Sequence, residues 1–380
     1  MPQAAGDWVP ICVFPNLRLK EAIDASYGAI VPADDPRVAA LSKAQPTFRS
    51  FLRRFSTEFR ERLEPSVFLR RSDAPSGFCT GEAVAGLRDV VALSSLPYGR
   101  ALALAQDRST DVFYADAFNI YPWMVDKHYE HLICNTSAML GLHQVDRFYG
   151  QGVPGVPEAH VNELDFDKPL LTALVARWKA RFRASKPAQE DVALFRSLNT
   201  ANQASRMPSA AGETTIYDIG RLLALWVSAL EILAHPRDGG KASQDRVLAL
   251  LDRVVWLSKH CQDKRQVMFT WKKGQRQRRS VNMPAALCWR IYVARNKFLH
   301  GEPVSRADLG QSGSCWWLFG AAAPLYRMAL SAYLGLSVPP LPSVEEPAAF
   351  GRAVTERMDF LSYQRVFEDA LDRAARGVPH

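Results

Sequence analysis

Hydrophobic and polar positions change rhythm along the chain. From Val9 to about His160, short β-favouring runs (Ile11 to Phe14, Ser66 to Leu69, Asp89 to Leu93 and Asp111 to Tyr114) alternate with turn-forming clusters. Between them, Pro36 to Leu63 has a helical period. Phe48, Phe51, Leu52, Phe55 and Phe59 recur at three- and four-residue steps, with Arg49, Arg53, Arg54, Arg60 and Arg62 interleaved. Arginines on the far side of such a stripe predict a solvent face. This texture predicts an α+β domain over residues 1–160.

The turn-rich stretch Gly150 to Gly155 marks a boundary, after which a 3.6-residue period dominates to about Leu336. Leu170, Leu171, Leu174, Val175 and Trp178 form one stripe, ended near Ala184 to Pro187. Val192, Phe195 and Leu198 suggest the next, ended by Pro208. The clearest helix runs from Thr215 to Ala234. Thr215 and Asp218 fit a cap, and Ile219, Leu222, Leu223, Trp226, Val227, Leu230 and Leu233 form its apolar face. Ser243 is expected to cap a helix reaching His260. Another starts at Asn282, with Pro284 in its first turn where a missing N–H costs nothing, and ends at His300-Gly301. A last member covers Cys315 to Leu334, making residues 161–336 a helical bundle. The proline-rich Val338 to Pro342 reads as a linker. A C-terminal helix follows within 337–380, docked by Phe350, Met358, Phe360, Leu361, Phe367 and Leu371. The fold class is therefore mainly α, with an N-terminal α+β part.

Composition narrows the choices. With 48% hydrophobic residues in 380, a large buried core is available and disorder is excluded as the default. Lys and Arg outnumber Asp and Glu by 47 to 39, a formal charge of +8 that favours a polyanionic partner without specifying it. Six scattered cysteines without a C-x-x-C pair argue against a zinc module or a disulfide framework and predict reduced thiols. Residues 1–13 lack the basic start of a signal peptide. The richest apolar run, Trp316 to Leu336, is broken by Pro324 and Arg327. A cytoplasmic protein with no membrane partner is expected.

The chemistry concentrates at the end of the helix from Asn282 to His300. On a wheel of about 100° per residue, Leu287, Cys288, Ile291, Tyr292, Phe298 and Leu299 share a broad face, and Arg295 falls near its middle. A guanidinium there must meet a carboxylate or face a cleft, because burying it unpaired is costly. Glu231, the lone acid between Leu222 and Ala234, is the candidate partner. His300 lies about 140° from Arg295 on the ideal wheel. Gly301 lets the last turn open and bring the imidazole towards this arginine or that of a second protomer. An imidazole exchanges protons near neutral pH, and a fixed guanidinium clamps a phosphate. The same residues also fit a core arginine and a histidine that only ends a helix.

Arg295-Asn296-x-x-x-His300, followed by Gly301, resembles the R-x4-6-H signature of HEPN domains. Leu225 to Glu231, with Ala229-Leu230-Glu231, looks like the helix bearing an A-L-E element in the ApeA-like branch. The resemblance covers roughly residues 190–336. It implies a HEPN-like bundle acting as a metal-independent endoribonuclease without cofactors, with RNA as partner and a homodimer as the active form. Within it, His300 would serve as general acid or base, Arg295 would stabilise the transition state and Asn296 would orient one of them, with Glu231 in support. By analogy it also implies a prokaryotic antiphage-defence or toxin setting, a sensing role for residues 1–160, and an antitoxin or regulatory partner. A catalytically silent HEPN module binding RNA or protein is the alternative, and an enzyme acting on a small nucleotide a third.

Beside the motif, Lys272, Lys273, Arg276, Arg278 and Arg279 follow one another without an acid, with Phe269 and Trp271 close by. They fit a solvated loop or hairpin and equally an RNA-backbone contact. His128 and His131 lack a third metal ligand at suitable spacing, and Asp238 to Ser243 lacks the first glycine of a phosphate loop.

Overall fold

The structure, a computed structural model, describes residues 7–57, 59–106, 114–122, 124–125, 132–133, 161–162, 166–208, 215–235, 240, 242–272, 275–340 and 347–378. The expectations for Asp111 to Phe113, His128, His131, the stretch Gly150 to Gly155, Asp238 and Lys273 lie outside these residues. The protein is mainly α-helical with an α+β N-terminal part. The chain forms two compact units that interleave: residues 1–88, 116–165 and 175–187 make the first, and residues 89–115, 166–174 and 188–380 the second.

The first unit is built on strands β1 (Trp8–Phe14), β2 (Leu17–Arg18), β3 (Ile23–Asp24), β4 (Gly28–Val31), β5 (Ser66–Arg71) and β6 (Tyr121–Pro122). An antiparallel five-stranded sheet runs in the order β3-β4-β5-β1-β6. Between β4 and β5 lie helices α1 (Pro36–Ala44) and α2 (Pro46–Leu52). The single helical run expected over 36–63 is thus divided at Pro46, which has no N–H to continue α1. Val38, Leu41, Phe48, Phe51 and Phe55 pack with Val13, Val31, Val67 and Leu69 of the sheet, while Phe59 is 73% exposed. As expected, Arg49, Arg53 and Arg54 are exposed.

Helix α3 (Gly81–Gln106) follows, crossing from the first unit to the second. It overturns the β-favouring reading of Asp89 to Leu93. Val90, Val91 and Leu93 are buried inside this helix, among residues buried on nearly every side, and such an environment erases the stripe that identifies a surface helix. Within the first unit, the short pairs β7 (Met124–Val125) with β8 (Leu132–Ile133), and β2 with β9 (Val161–Asn162), complete the strands. The second half of α4 (Lys168–Arg183) places Trp178 beside Gly28, where a Cβ would stand 2.9 Å from the ring. The Trp178 indole donates to the Ala83 carbonyl at 2.9 Å.

The second unit is a helical bundle around α6 (Ile216–Leu233), neighboured by α5 (Gln189–Ala204), α7 (Gln244–Leu251), and the later α9 (Met283–Leu299) and α10 (Trp317–Leu334). Thr215 and Asp218 form the expected capping box, and the seven-residue stripe of α6 is buried throughout. Ser197 of α5 donates to the Ala229 carbonyl at 2.7 Å and lies 2.7 Å from the Tyr326 hydroxyl of α10. The helix expected to reach His260 stops instead at Leu251. A short α8 (Lys259–Gln262) resumes after a turn, with Trp256 buried and Val255 exposed. The Glu368 carboxylate, on α11 (Pro347–Gly377), accepts from the Leu257 and Ser258 N–H groups at 2.7 and 2.6 Å, so those groups are satisfied without helix. Strands β10 (Gln266–Lys272) and β11 (Gln275–Val281) form a hairpin before α9, and β12 (Gln311–Ser312) pairs with β13 (Cys315–Trp316) before α10. On α11, Phe360, Phe367 and Leu371 are buried as expected, whereas Met358 is exposed. No helix among the described residues is long and apolar enough to cross a membrane.

Candidate active site at the end of a bundle helix

Helix α9 starts as its sequence dictates. The Asn282 side chain accepts from the Ala285 N–H at 2.9 Å, and Pro284 sits in the first turn. Leu287, Cys288, Ile291 and Ala294 are its buried positions near the motif; burial pushes the Cys288 thiol up to about 12. Tyr292, Arg295 and Phe298 are half-buried at the edge of that face, and Leu299 is 51% exposed, so the apolar face is narrower than the wheel predicts. Arg295 therefore stands at the rim of the core and not in its middle.

A small set of contacts holds Arg295. Its Nη1 donates to Asn296 Oδ1 at 2.8 Å, and its guanidinium carbon lies 5.7 Å from the Tyr292 ring centre, one helical turn back. The Tyr292 hydroxyl in turn donates to Glu231 of α6. Burial and the neighbouring Glu231 carboxylate push the pKa of this hydroxyl up, which keeps it a neutral donor. The expected direct pairing of Glu231 with Arg295 is thus replaced by an indirect link: tyrosine occupies the carboxylate and offers its ring to the arginine. Among the described residues, Arg295 Nε is buried and has no hydrogen-bond partner.

His300 caps the helix. Its N–H donates to the Asn296 carbonyl at 3.0 Å, its side chain is exposed, and Gly301 turns the chain with a φ of +73° that a side chain would resist. Asn296 therefore touches both partners of the motif, through its side chain to Arg295 and its backbone to His300. After the cap the chain is tied back by Lys297 Nζ, which donates to Asp308 at 2.8 Å. The Lys297 ammonium and the Ser305 hydroxyl and N–H hold the Asp308 carboxyl well below the usual carboxylate range.

Close packing fixes the last turn of α9 against α6. Phe298 lies directly on Gly220, where any Cβ would overlap the ring. The sequence-derived site lacked two members, Tyr292 and Gly220. The i, i+3 spacing of Tyr292 and Arg295 was the available signal for the first. For Gly220 there was only the cost of glycine inside a strong helix, which asks for a packing reason.

Of the basic run, Arg279 is committed to ion pairs with Asp245 at 3.0 Å and Asp252 at 3.6 Å, and Asp252 also meets Lys264 at 3.6 Å. Arg278 is exposed and has no ion pair among the described residues. Lys272 and Arg276 take places in β10 and β11, opposite Gln275 and Trp271. No protein family, curated protein or solved structure matches this chain.

Proposed function

We propose that the helical bundle is a metal-independent endoribonuclease of the HEPN type, acting as a homodimer. It breaks RNA by attack of a 2′-OH on the adjacent phosphorus, leaving 2′,3′-cyclic phosphate and 5′-OH ends. The reading rests on the resemblance of the Arg295 to Gly301 segment to the HEPN signature, and one observation carries it further. Arg295 is gripped by Asn296 and Tyr292 at the rim of the core, with Nε unpartnered among the described residues, five residues before an exposed helix-capping histidine.

In this mechanism the bond from the 2′-oxygen to phosphorus forms as the bond to the 5′-oxygen breaks. His300 takes the 2′-OH proton or returns one to the leaving oxygen, and two protomers supply one imidazole for each transfer. Arg295 donates to the equatorial oxygens as negative charge builds there, and Asn296 fixes its plane. Glu231 acts through Tyr292. Proton transfer and charge stabilisation account for the whole displacement, so the scheme uses neither metal nor cofactor. By the same analogy we place the protein in the cytoplasm of a prokaryotic defence or toxin system, with the N-terminal α+β part as sensor and an antitoxin or other regulator as partner.

Purified full-length protein is expected to cut RNA in EDTA, and His300→Ala to lower the rate at least about a hundredfold while keeping fold and oligomeric state. Absence of cutting by wild type under every activating condition tried would instead favour the second reading, a silent RNA-binding module, for which the exposed Phe269 and Arg278 speak.

A further inference from the structure

The hairpin β10–β11 has two unlike faces. Met268 and Val281, 1% and 3% exposed, pack against Leu248 and Ala285. Strand alternation carries the neighbours Val267, Phe269 and Arg278 to the opposite side, where Val267 and Phe269 keep 43% and 40% of their surface exposed. Phe269 stands directly across from Arg278, and Trp271 across from Arg276 in the next pair of the same set. From Gln266 to Val281 there are five basic residues and no acid. On the buried side, Arg279 is opposite Met268 and neutralised by Asp245 and Asp252.

We propose that the outer face of this hairpin is a binding platform for single-stranded RNA, on which Phe269 stacks an unpaired base while Arg278 binds the adjoining phosphate. That the strand is RNA rests on the nuclease reading above; the stacking and phosphate chemistry does not. An exposed ring set directly across the ladder from a guanidinium that has no ion pair among the described residues offers a π-face beside a cation, matching the alternation of base and phosphate along one strand. A duplex, whose bases are already stacked on each other, can use only the charges. An acidic peptide can use only the charges too. The platform divides the basic run: Arg278 serves the ligand, whereas Arg279 secures the hairpin to α7.

The test is anisotropy with a fluorescent 2′-O-methyl oligoribonucleotide, which cannot be cut, so binding is read separately from cleavage. The full-length protein is expected to prefer the single strand to a blunt duplex of the same sequence. Phe269→Ala and Phe269→Leu are each expected to weaken single-strand binding about tenfold and leave duplex binding unchanged, because leucine keeps apolar area but not the ring. Arg278→Gln is expected to weaken both and to reduce the slope of log affinity against log salt by about 0.7 for the single strand. Equal affinity for single strand and duplex, full affinity in Phe269→Leu, or equal competition by polyglutamate would overturn the platform. Binding of this kind by a protein that never cuts RNA would sustain the platform and remove the nuclease.

Discussion

At the scale of the residue, the account depends on how Arg295 is oriented. A guanidinium that forks onto phosphate must have its plane fixed beforehand, and here a ring and a neighbouring amide do this, with Glu231 securing the ring. Tyr292→Phe keeps the ring and frees it from Glu231. We expect kcat to fall about ten- to a hundredfold with KM little changed, and stability to fall by about 1 kcal/mol. Steady-state kinetics beside a melting curve checks both; an unchanged kcat would reduce Tyr292 to packing. The sequence made Arg295 legible because it falls on the apolar face of its helix, and Glu231 because it is the lone acid in an apolar stretch. It could not show that tyrosine mediates between them, since the reach across from α6 is tertiary. For the same reason Arg327 was seen only as a break in an apolar run, although it is fully buried in the bundle: its partner Asp167 lies 160 positions away, at 2.7 Å.

At the scale of the element, helix boundaries with local signals were readable: Thr215 with Asp218, Asn282 with Pro284, and Gly301 each mark one. Where the decisive contact is distant the pattern misled, as at Leu251, because Glu368 rewards the break from far along the chain. Two consequences follow for the end of α9. Gly220→Ala drives a methyl into the Phe298 ring, so denaturant unfolding should show a loss of about 1–3 kcal/mol, and cleavage should fall as the Arg295 turn shifts. A neutral Gly220→Ala would mean that this turn is not fixed by α6. The Asp308 carboxyl is depressed in the folded protein below its ordinary 3.8, so its contribution is complete above that pH and is lost as pH falls through the depressed value. Because the Lys297 pair is still about one third exposed and open to solvent screening, Asp308→Asn should cost less than about 1 kcal/mol near neutral pH and nothing in strong acid. A penalty that grows on acidification would contradict that sign.

At the scale of the whole molecule, the mainly helical class and the α+β N-terminal part were legible from periodicity alone. The interleaving of the two compact units was not, because α3 and α4 each contribute to both, and periodicity within a helix carries no trace of which neighbours its ends will meet. Within the helical unit, a buried chain of polar contacts joins distant segments. Arg327 pairs with Asp167 and donates to Gln364 at 3.0 Å, and Gln364 donates to Glu368 at 2.8 Å. Arg327→Ala strands a buried carboxylate and should cost about 3–5 kcal/mol in denaturant unfolding, whereas Arg327→Met combined with Asp167→Leu should recover most of it. A small loss in the single variant would show that water or rearrangement relieves the charge.

The chemistry of the RNA ends tests the central claim most directly. After brief incubation in EDTA, the wild-type protein is predicted to leave 2′,3′-cyclic phosphate and 5′-hydroxyl termini, and Arg295→Ala and His300→Ala to leave none above background. Products bearing 5′-phosphates, or identical cutting by either variant, would contradict the assignment of Arg295 and His300 to one phosphodiester bond.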